Sequence, residues 1–212
     1  AHWREVWQNL ERGARNQPAL AMLGALIFFG LLRYRRLIIK RLCEEVDAIG
    51  DVRRDRFGLT GRALVMTALL ALPWPWLLAW LAWLLFGSGN AADFSRGVGF
   101  GLVASMFLTI NITLMRQLCR PQGLAMAHFG WSEAGCRLLR RHLNWFLWIG
   151  PLSLLVVGLC ETQPDPLYGD TLGRTAFCVG SLALTVVLWR VLDPRQSLLA
   201  GLAAGRAGAA WR

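Results

Sequence analysis

The sequence predicts an all-α integral membrane protein built as a bundle of five transmembrane helices. Two observations predict this class. Hydrophobic residues make up 55% of the 212 residues and charged residues only 17%, whereas a soluble domain carries about 25% charged residues. The apolar residues also lie in five long runs whose interiors hold no charged residue. This composition excludes an intrinsically disordered chain, and five cysteines at this length exclude a disulfide-stapled miniprotein.

Each of the five apolar runs is a candidate span. An α-helix needs about 20 residues to cross the ~30 Å hydrocarbon core of a bilayer. The second, third and fourth runs have this length, whereas the first and last are short and need terminal arginines that reach the interface. The two short runs leave the number of spans open by one. The predicted spans are residues 18–33, 63–86, 97–115, 143–160 and 175–190.

The distribution of lysine and arginine predicts the orientation. If the five spans alternate, 18 of the 23 basic residues lie on the side that holds the two long loops and the C-terminus. Because basic residues accumulate in cytoplasmic loops, this side is the cytoplasm and the N-terminus lies outside.

The two ends of the chain are predicted to lie outside the bundle. Residues 1–17 place Trp3, Val6 and Trp7 on one helical face, which predicts an amphipathic segment on the outer membrane surface. Residues 191–212 are predicted to be a cytoplasmic tail or linker. Since the chain begins with alanine and its first segment lacks the apolar core of a signal peptide, we expect a piece of a longer or processed chain.

The formal net charge of +10 predicts a lipid partner. The basic residues stand beside the spans, where anionic lipid headgroups attract each of them by about 1 kcal/mol. Nucleic acid is not predicted, since it would require a compact basic domain with aromatic residues. The alternative that these residues only set the topology stays open. The candidate headgroup ligands are Arg33, Arg35, Arg36, Lys40, Arg41, Arg116, Arg120, Arg140 and Arg141.

Three features inside the runs predict local structure. Pro73 and Pro75 lie mid-span in ALPWPW and predict a kink or hinge, because each removes a backbone donor. In the third span Gly97 and Gly101 are one turn apart, and this spacing predicts close helix packing. Asn111 is an amide in the same span and predicts a hydrogen bond to another helix.

The sequence contains no recognisable catalytic motif. HExxH, CxxC, GxSxG and Gly-rich phosphate loops are missing, and so are the intramembrane ionisable residues that coupled transporters need. The three histidines have no partners at metal-ligand spacing. We therefore predict no enzyme, no metal and no cofactor. Cys160 and Cys178 flank the second outer loop and form a candidate disulfide, which requires Cα atoms within about 7 Å.

Two stretches carry a resemblance to a known family. One is VRRDRFGLT, residues 52–60, which leads into ALPWPW; the other is RQLCRPQGLAMAHFGW, residues 116–131, followed by RLLRR, residues 137–141. The chain resembles the inner-membrane region of the large multi-span, MscS-like mechanosensitive channels of Gram-negative bacteria, of the potassium-dependent type. This resemblance implies a periplasmic region before the helices, a pore helix and β-rich vestibule after them, and a heptamer that opens under tension.

Together these observations predict a non-pore transmembrane module of a channel in the bacterial inner membrane, with a periplasmic N-terminus and a cytoplasmic C-terminus. The module would sense tension through lipid contact and relay it to a pore outside this segment. Its predicted partners are anionic membrane lipids, identical subunits and the rest of the parent chain. Two alternatives stay open: a small stand-alone membrane transporter or enzyme subunit, and a pure membrane anchor for a periplasmic partner.

Overall fold

The computed structural model describes residues 2–49, 57–89, 93–121, 123–127, 131–163 and 166–192. The regular structure within these ranges is helical, which confirms the predicted all-α class. A π-helical turn, Gly169–Gly173, joins the last two helices. The helices are α1 (His2–Asn16), α2 (Pro18–Ile49), α3 (Phe57–Ala71), α4 (Pro73–Phe86), α5 (Asp93–Leu118), α6 (Leu124–Ala127), α7 (Glu133–Glu161), α8 (Pro166–Tyr168) and α9 (Arg174–Leu192).

Helix α2 combines the first apolar run with the basic segment that follows it. The helix runs without a break from Pro18 to Ile49. Ile38 and Leu42 recur at helical spacing beyond the arginines, and the continuation that this spacing predicts is confirmed. The uncharged part of α2 is only the 15 residues 18–32, and the helix is not among those long and apolar enough to cross a membrane within the described residues.

Three helical segments are long and apolar enough to cross a membrane, namely Phe94–Leu118, Glu133–Glu161 and Gly169–Leu192. A fourth is present if Gly61–Ala71 and Pro73–Phe86 form one broken span, since they are bent by 55°. The break falls immediately before a proline, which has no N–H to continue the ladder of the preceding helix. The structure thus shows three or four candidate spans in the part of the chain it describes.

The connection between α7 and α9 differs from the tight surface turn that its prolines and acidic residues favour. The helix resumes at Pro166 and continues through the π-helical turn into α9. Two threonines reinforce it: Thr171 Oγ1 donates to the Leu167 carbonyl and Thr175 Oγ1 to the Thr171 carbonyl, both at 2.6 Å. These local bonds extend the last helix further towards its N-terminus than the run 175–190 indicated.

The described residues cluster into two units, and α2, α5, α7 and α9 each contribute to both. Unit 1 holds the described residues of Ala1–Arg33, Leu72–Asn111 and Trp148–Ala183; unit 2 holds those of Tyr34–Ala71, Ile112–Leu147 and Leu184–Arg212.

Unit 1 has an apolar core formed by α1, α4 and α5. Val6, Leu85 and Val98 are its buried residues, with Phe94 and Leu159 packed against them. Through this core the apolar face of the amphipathic helix α1 packs against α4 and α5.

Unit 2 has two small apolar clusters. Leu42, Ala63 and Leu124 belong to the first, which joins α2, α3 and α6. The second is formed by Cys119, Ala125 and Cys136 beside the turn after α5. Because α6 contributes to both clusters, this short helix is packed on two sides.

Candidate functional site

Two of the nine predicted headgroup residues act electrostatically on a third, Arg116. Arg35 lies on α2, Arg116 in the last turn of α5 and Arg140 on α7, and the positive charges of Arg35 and Arg140 both act on Arg116. Arg116 is half-buried, and its Nε is buried without a hydrogen bond to any described group.

The other six predicted headgroup residues differ in exposure but have no buried unsatisfied side-chain nitrogen in the described structure. One is half-buried and five are exposed. They are Arg120, which is half-buried, and Arg33, Arg36, Lys40, Arg41 and Arg141, which are exposed.

The bend before α4 places its tryptophans against α2 in unit 1. Trp76 Nε1 donates to the Gly24 carbonyl at 3.0 Å. The ring of Trp80 lies so close to Gly24 that a side chain at this glycine would collide with it. Both prolines of α4 are buried, so the helix start is fixed against its neighbours. The structure therefore places Pro73 and Pro75 at a bend, while a hinge function for them stays a prediction.

A groove of about 330 Å³ lies between α2 and α4, and we call it the tryptophan groove. Trp80 Nε1 beside it is buried without a hydrogen bond to a described group. Trp76 belongs to ALPWPW and Trp80 follows one turn later, and the contact of both with Gly24 depends on tertiary packing. The groove is lined by Leu20, Leu23, Gly24, Ile27, Trp76, Ala79, Trp80 and Trp83.

The predicted glycine pair lies at a close contact between α5 and α7 in unit 1. A Cβ at Gly97 would collide with Thr162, and a Cβ at Gly101 would stand 2.5 Å from the Leu155 carbonyl oxygen. The partner on α7 is Gly158, where a Cβ would stand 2.5 Å from the Cα of Gly101. Small residues on both helices thus let the two backbones touch.

One hydrogen bond reinforces this contact and was missed by sequence reasoning. Ser105 Oγ donates to the Pro151 carbonyl at 2.6 Å, from α5 to α7. A serine in a span ordinarily bonds to its own helix, and only the proximity of the two helices makes the cross-helix bond available.

Asn111 forms a hydrogen bond within its own helix, and its predicted bond to another helix stays a prediction. Its Nδ2 donates to the Phe107 carbonyl of the same helix at 2.7 Å, and the side chain is exposed. An amide four residues after a carbonyl can reach back along its own helix, and this local bond forms here.

Helix α1 is fastened to unit 1 by a buried polar contact that the sequence analysis did not identify. Asn9 Nδ2 donates to Ser95 Oγ at 2.8 Å, and both side chains are buried. Gly13 packs directly on the Leu84 carbonyl. The signal that could have shown this face is the spacing of Asn9 and Gly13, four residues apart.

The aromatic side of α1 remains uncovered. Trp3 is 68% exposed and Trp7 is 65% exposed, although Trp3 touches Phe94 edge-on with 5.6 Å between ring centroids. Trp7 Nε1 donates to Glu11 at 2.7 Å. An exposed apolar side with satisfied polar atoms suits a membrane interface.

The described cysteines carry free thiols. Cys119 and Cys136 are buried side by side, and burial, together with the neighbouring Cys136 thiol, raises the pKa of the Cys119 thiol to about 12. Cys160 is buried, whereas Cys178 is exposed. A disulfide between Cys160 and Cys178 stays a prediction.

No group of three or more His, Cys, Asp or Glu side chains at metal-binding distance occurs among the described residues. His142 accepts a hydrogen bond from Trp145 Nε1 at 3.2 Å on the same helix. His128 lies outside the described residues.

Long apolar helices, arginines at their ends and a proline-broken segment define an α-helical domain of an integral membrane protein. Residues 18–210 match the family of mechanosensitive ion channel inner membrane domain 1, and the chain belongs to this family. The predicted family and inner-membrane location are thereby confirmed.

One similar protein is named as a mechanosensitive channel. The chain is 32% identical over 178 residues to the miniconductance mechanosensitive channel MscM of Escherichia coli (strain K12). The matched stretch covers 81% of this chain and 15% of that protein. The chain thus spans less than a fifth of the relative's length. No solved structure matches the chain.

Proposed function

We propose that this chain is a non-pore transmembrane module of a mechanosensitive channel, which senses tension through lipid contact and relays it to a pore elsewhere in the parent protein. This proposal rests mainly on the exposure of the last candidate span. The most apolar 18-residue window of Gly169–Leu192 has a mean hydropathy of 1.8, yet only 6% of that window is buried inside the chain. A helix this apolar must cover its surface with lipid or with neighbouring subunits.

The proposed topology has five spans, a periplasmic N-terminus and a cytoplasmic C-terminus. Its domains are residues 1–17 at the periplasmic surface, 18–190 in the membrane and 191–212 as a cytoplasmic tail or linker. The first span would be the apolar part of α2, where Leu26 and Phe29 are 66% and 64% exposed. Its short length requires the following arginines to extend towards the interface. The relative's name supports a channel rather than an enzyme.

The proposed mechanism needs no chemical step. Lateral tension favours whichever conformation occupies more membrane area, so any helix that tilts outward under tension is stabilised. Helices α5 and α7 touch along their backbones, whereas the last span makes few contacts inside the chain. We propose that identical subunits, seven in the complete channel, and anionic lipids surround this surface.

The test is tension-clamped recording from giant vesicles that hold the parent channel. Leu182 on α9 is 66% exposed, and Leu182→Gln places a polar amide on this surface, while Leu182→Met is the matched apolar control. We expect Leu182→Gln to change the tension at half-opening and Leu182→Met to leave it unchanged. If Leu182→Gln and Leu182→Met open at the same tension, α9 does not sense tension and the chain is only an anchor.

A further inference from the structure

Trp80 in the tryptophan groove carries a hydrogen-bond donor that the described protein does not satisfy. Its Nε1 is buried and has no acceptor among the described residues. The ring lies against Gly24, where an added Cβ would collide with this nitrogen. The Gly24 carbonyl accepts from Trp76 Nε1 at 3.0 Å, and a helical carbonyl also accepts from its own helix, so both of its lone pairs are used. A buried donor without a partner costs free energy that an acceptor from outside the chain recovers.

The rest of the groove is apolar. It holds about 330 Å³, and the described side chains that line it carry no charge. Leu20 and Leu23 on its α2 side are 51% and 50% exposed. This volume is at the small end of ligand sites, which span about 300–1,000 Å³, so the groove accepts one hydrocarbon chain rather than a whole lipid. The matching ligand has an apolar chain with an oxygen acceptor at one end.

The packing of α1 sets the depth of this donor in the proposed topology. Gly13 of α1 lies directly on the Leu84 carbonyl near the end of α4. Because residues 1–17 are proposed to lie at the periplasmic surface, this contact marks the level at which α4 leaves the membrane. Trp80 precedes Leu84 by one turn, about 6 Å along the helix axis. The ester carbonyls of phospholipids lie at this depth, between the headgroups and the hydrocarbon, where tryptophan is enriched.

A phospholipid satisfies this donor better than a helix of a second subunit does. The backbone carbonyls of a helix are used by its own hydrogen-bond ladder, and apolar side chains offer no acceptor. A phospholipid presents an ester carbonyl directly attached to an acyl chain. A rotation of the Trp80 indole away from Gly24 turns its N–H towards the groove, where this carbonyl accepts the hydrogen bond.

We propose that the tryptophan groove binds one acyl chain of a phospholipid of the periplasmic leaflet, and that the ester carbonyl of this chain accepts a hydrogen bond from Trp80 Nε1. This inference rests on the proposed function and names a site for its lipid contact within unit 1. The chain lies along Leu20 and Leu23. Ala79 also lines the groove, and a larger side chain at this position occupies the space of the lipid.

The experiment is photolabelling of the parent channel in vesicles by two phosphatidylethanolamines that differ only in the linkage of their chains. Both carry a diazirine on one chain and are minor components of otherwise identical vesicles; one is a diester, and the other is a diether without a carbonyl acceptor. Mass spectrometry measures the label on peptides from residues 20–27 and 76–83, which contain the lining of the groove. We expect the diester to label these peptides about fivefold more than the diether, the factor of one neutral hydrogen bond.

Two variants and one control separate the hydrogen bond from the groove. Trp80→Phe keeps an aromatic ring and removes the N–H, so we expect the preference for the diester to disappear. Ala79→Leu fills the groove, and we expect labelling by both lipids to fall about fivefold or more. The matched control is Trp74→Phe on the same helix. Trp74 is 54% exposed and does not line the groove, and we expect its replacement to leave the preference unchanged.

Several outcomes would overturn the site. Equal labelling by the diester and the diether in the unmodified channel would do so, as would a diester preference that survives Trp80→Phe or that Trp74→Phe also removes. Absence of label from both segments would assign the groove to a neighbouring subunit instead. The comparison of the two lipids in the unmodified channel needs no variant, so misfolding of a variant does not remove the test.

The outcome is separable from the proposed tension-sensing role. A diester preference together with equal thresholds in Leu182→Gln and Leu182→Met would keep the site and refute the sensing role. Equal labelling by both lipids together with an altered threshold in Leu182→Gln would refute the site and keep the sensing role.

Discussion

Replacing Gly101 by alanine probes the contact that holds α5 against α7. The added Cβ would stand 2.5 Å from the carbonyl oxygen of Leu155 and 3.0 Å from its Cα, whereas ordinary contact begins at 3.4 Å. Both atoms belong to the backbone and cannot rotate away, so the helices must separate by about 1 Å. Overpacking of this kind costs about 1–3 kcal/mol, and the better helix propensity of alanine returns about 1 kcal/mol.

The expected net loss is up to about 2 kcal/mol, or a fall of up to about 8 °C in the melting temperature for a chain of this size. Thermal unfolding in detergent, followed by far-ultraviolet circular dichroism, measures it. Gly99→Ala is the matched control on the same helix, since its Cβ would meet only the ring of Phe86, at 2.9 Å. Gly30→Ala is a second control, because nothing lies within 4 Å of its Cβ. The reasoning is refuted if Gly101→Ala melts no lower than Gly99→Ala.

Three further predictions concern α1, the buried thiols and the bend. Asn9→Ala removes the buried hydrogen bond to Ser95 and should lower the free energy of unfolding by about 1–3 kcal/mol, which is measured as faster proteolysis within α1. The control is Asn16→Ala, which removes a 3.1 Å hydrogen bond to the Gly87 carbonyl at an exposed position and should change little. Because the pKa of Cys119 is raised from 9.0 to about 12, its thiolate fraction near neutral pH is about a thousandfold lower than in the unfolded chain, and iodoacetamide alkylation should slow accordingly relative to a denatured sample. The same raised pKa means that the stability contributed by the protonated thiol is complete below pH 9.0 and is lost as the pH rises from there towards about 12. Pro73→Ala with Pro75→Ala restores two backbone donors and should reduce the 55° bend, measured as a changed distance between spin labels on α3 and α4; an unchanged distance would show that packing, not proline, sets the bend.

Much of the fold could be predicted because it depends on short-range sequence. The period of Ile38 and Leu42 is enough to show that α2 continues beyond its arginines, and the missing N–H of Pro73 is enough to expect a break near it. The span count is less accessible, since the apolar part of α2 is short and its role depends on lipid and on neighbouring helices.

The contacts could not be predicted to the same depth, because they depend on which helices meet. Gly97 and Gly101 suggested a close approach, but nothing in the spacing identified Gly158 as the partner. Asn111 had two ways to satisfy its amide, and the carbonyl four residues earlier is always in reach, whereas a second helix is in reach only after folding.

The same limit applies to the arginines. Membrane topology alone does not distinguish the nine basic residues beside the spans from one another, because the positive-inside rule counts charges and ignores their positions. A buried side-chain nitrogen distinguishes Arg116 from Arg120, although they are four residues apart on the chain. Arg116 has a buried nitrogen without a described partner, and the charges of two arginines from other helices act on it. Arg120 has no such buried nitrogen.

The distribution of close contacts in unit 1 also limits where tension could act. Glycine contacts and the Ser105 bond hold α5 to α7 at backbone distance, so separating them exposes polar backbone and loses packing at once. The last span approaches α7 through side chains, since a Cβ at Gly180 would meet the Ser153 side chain at 2.9 Å and one at Gly173 would meet the Cβ of Cys160 at 3.2 Å. Regions with few buried contacts move at the lowest cost in free energy. In the proposed function the α5–α7 pair is therefore the fixed element, and α9 is the element whose position follows the bilayer.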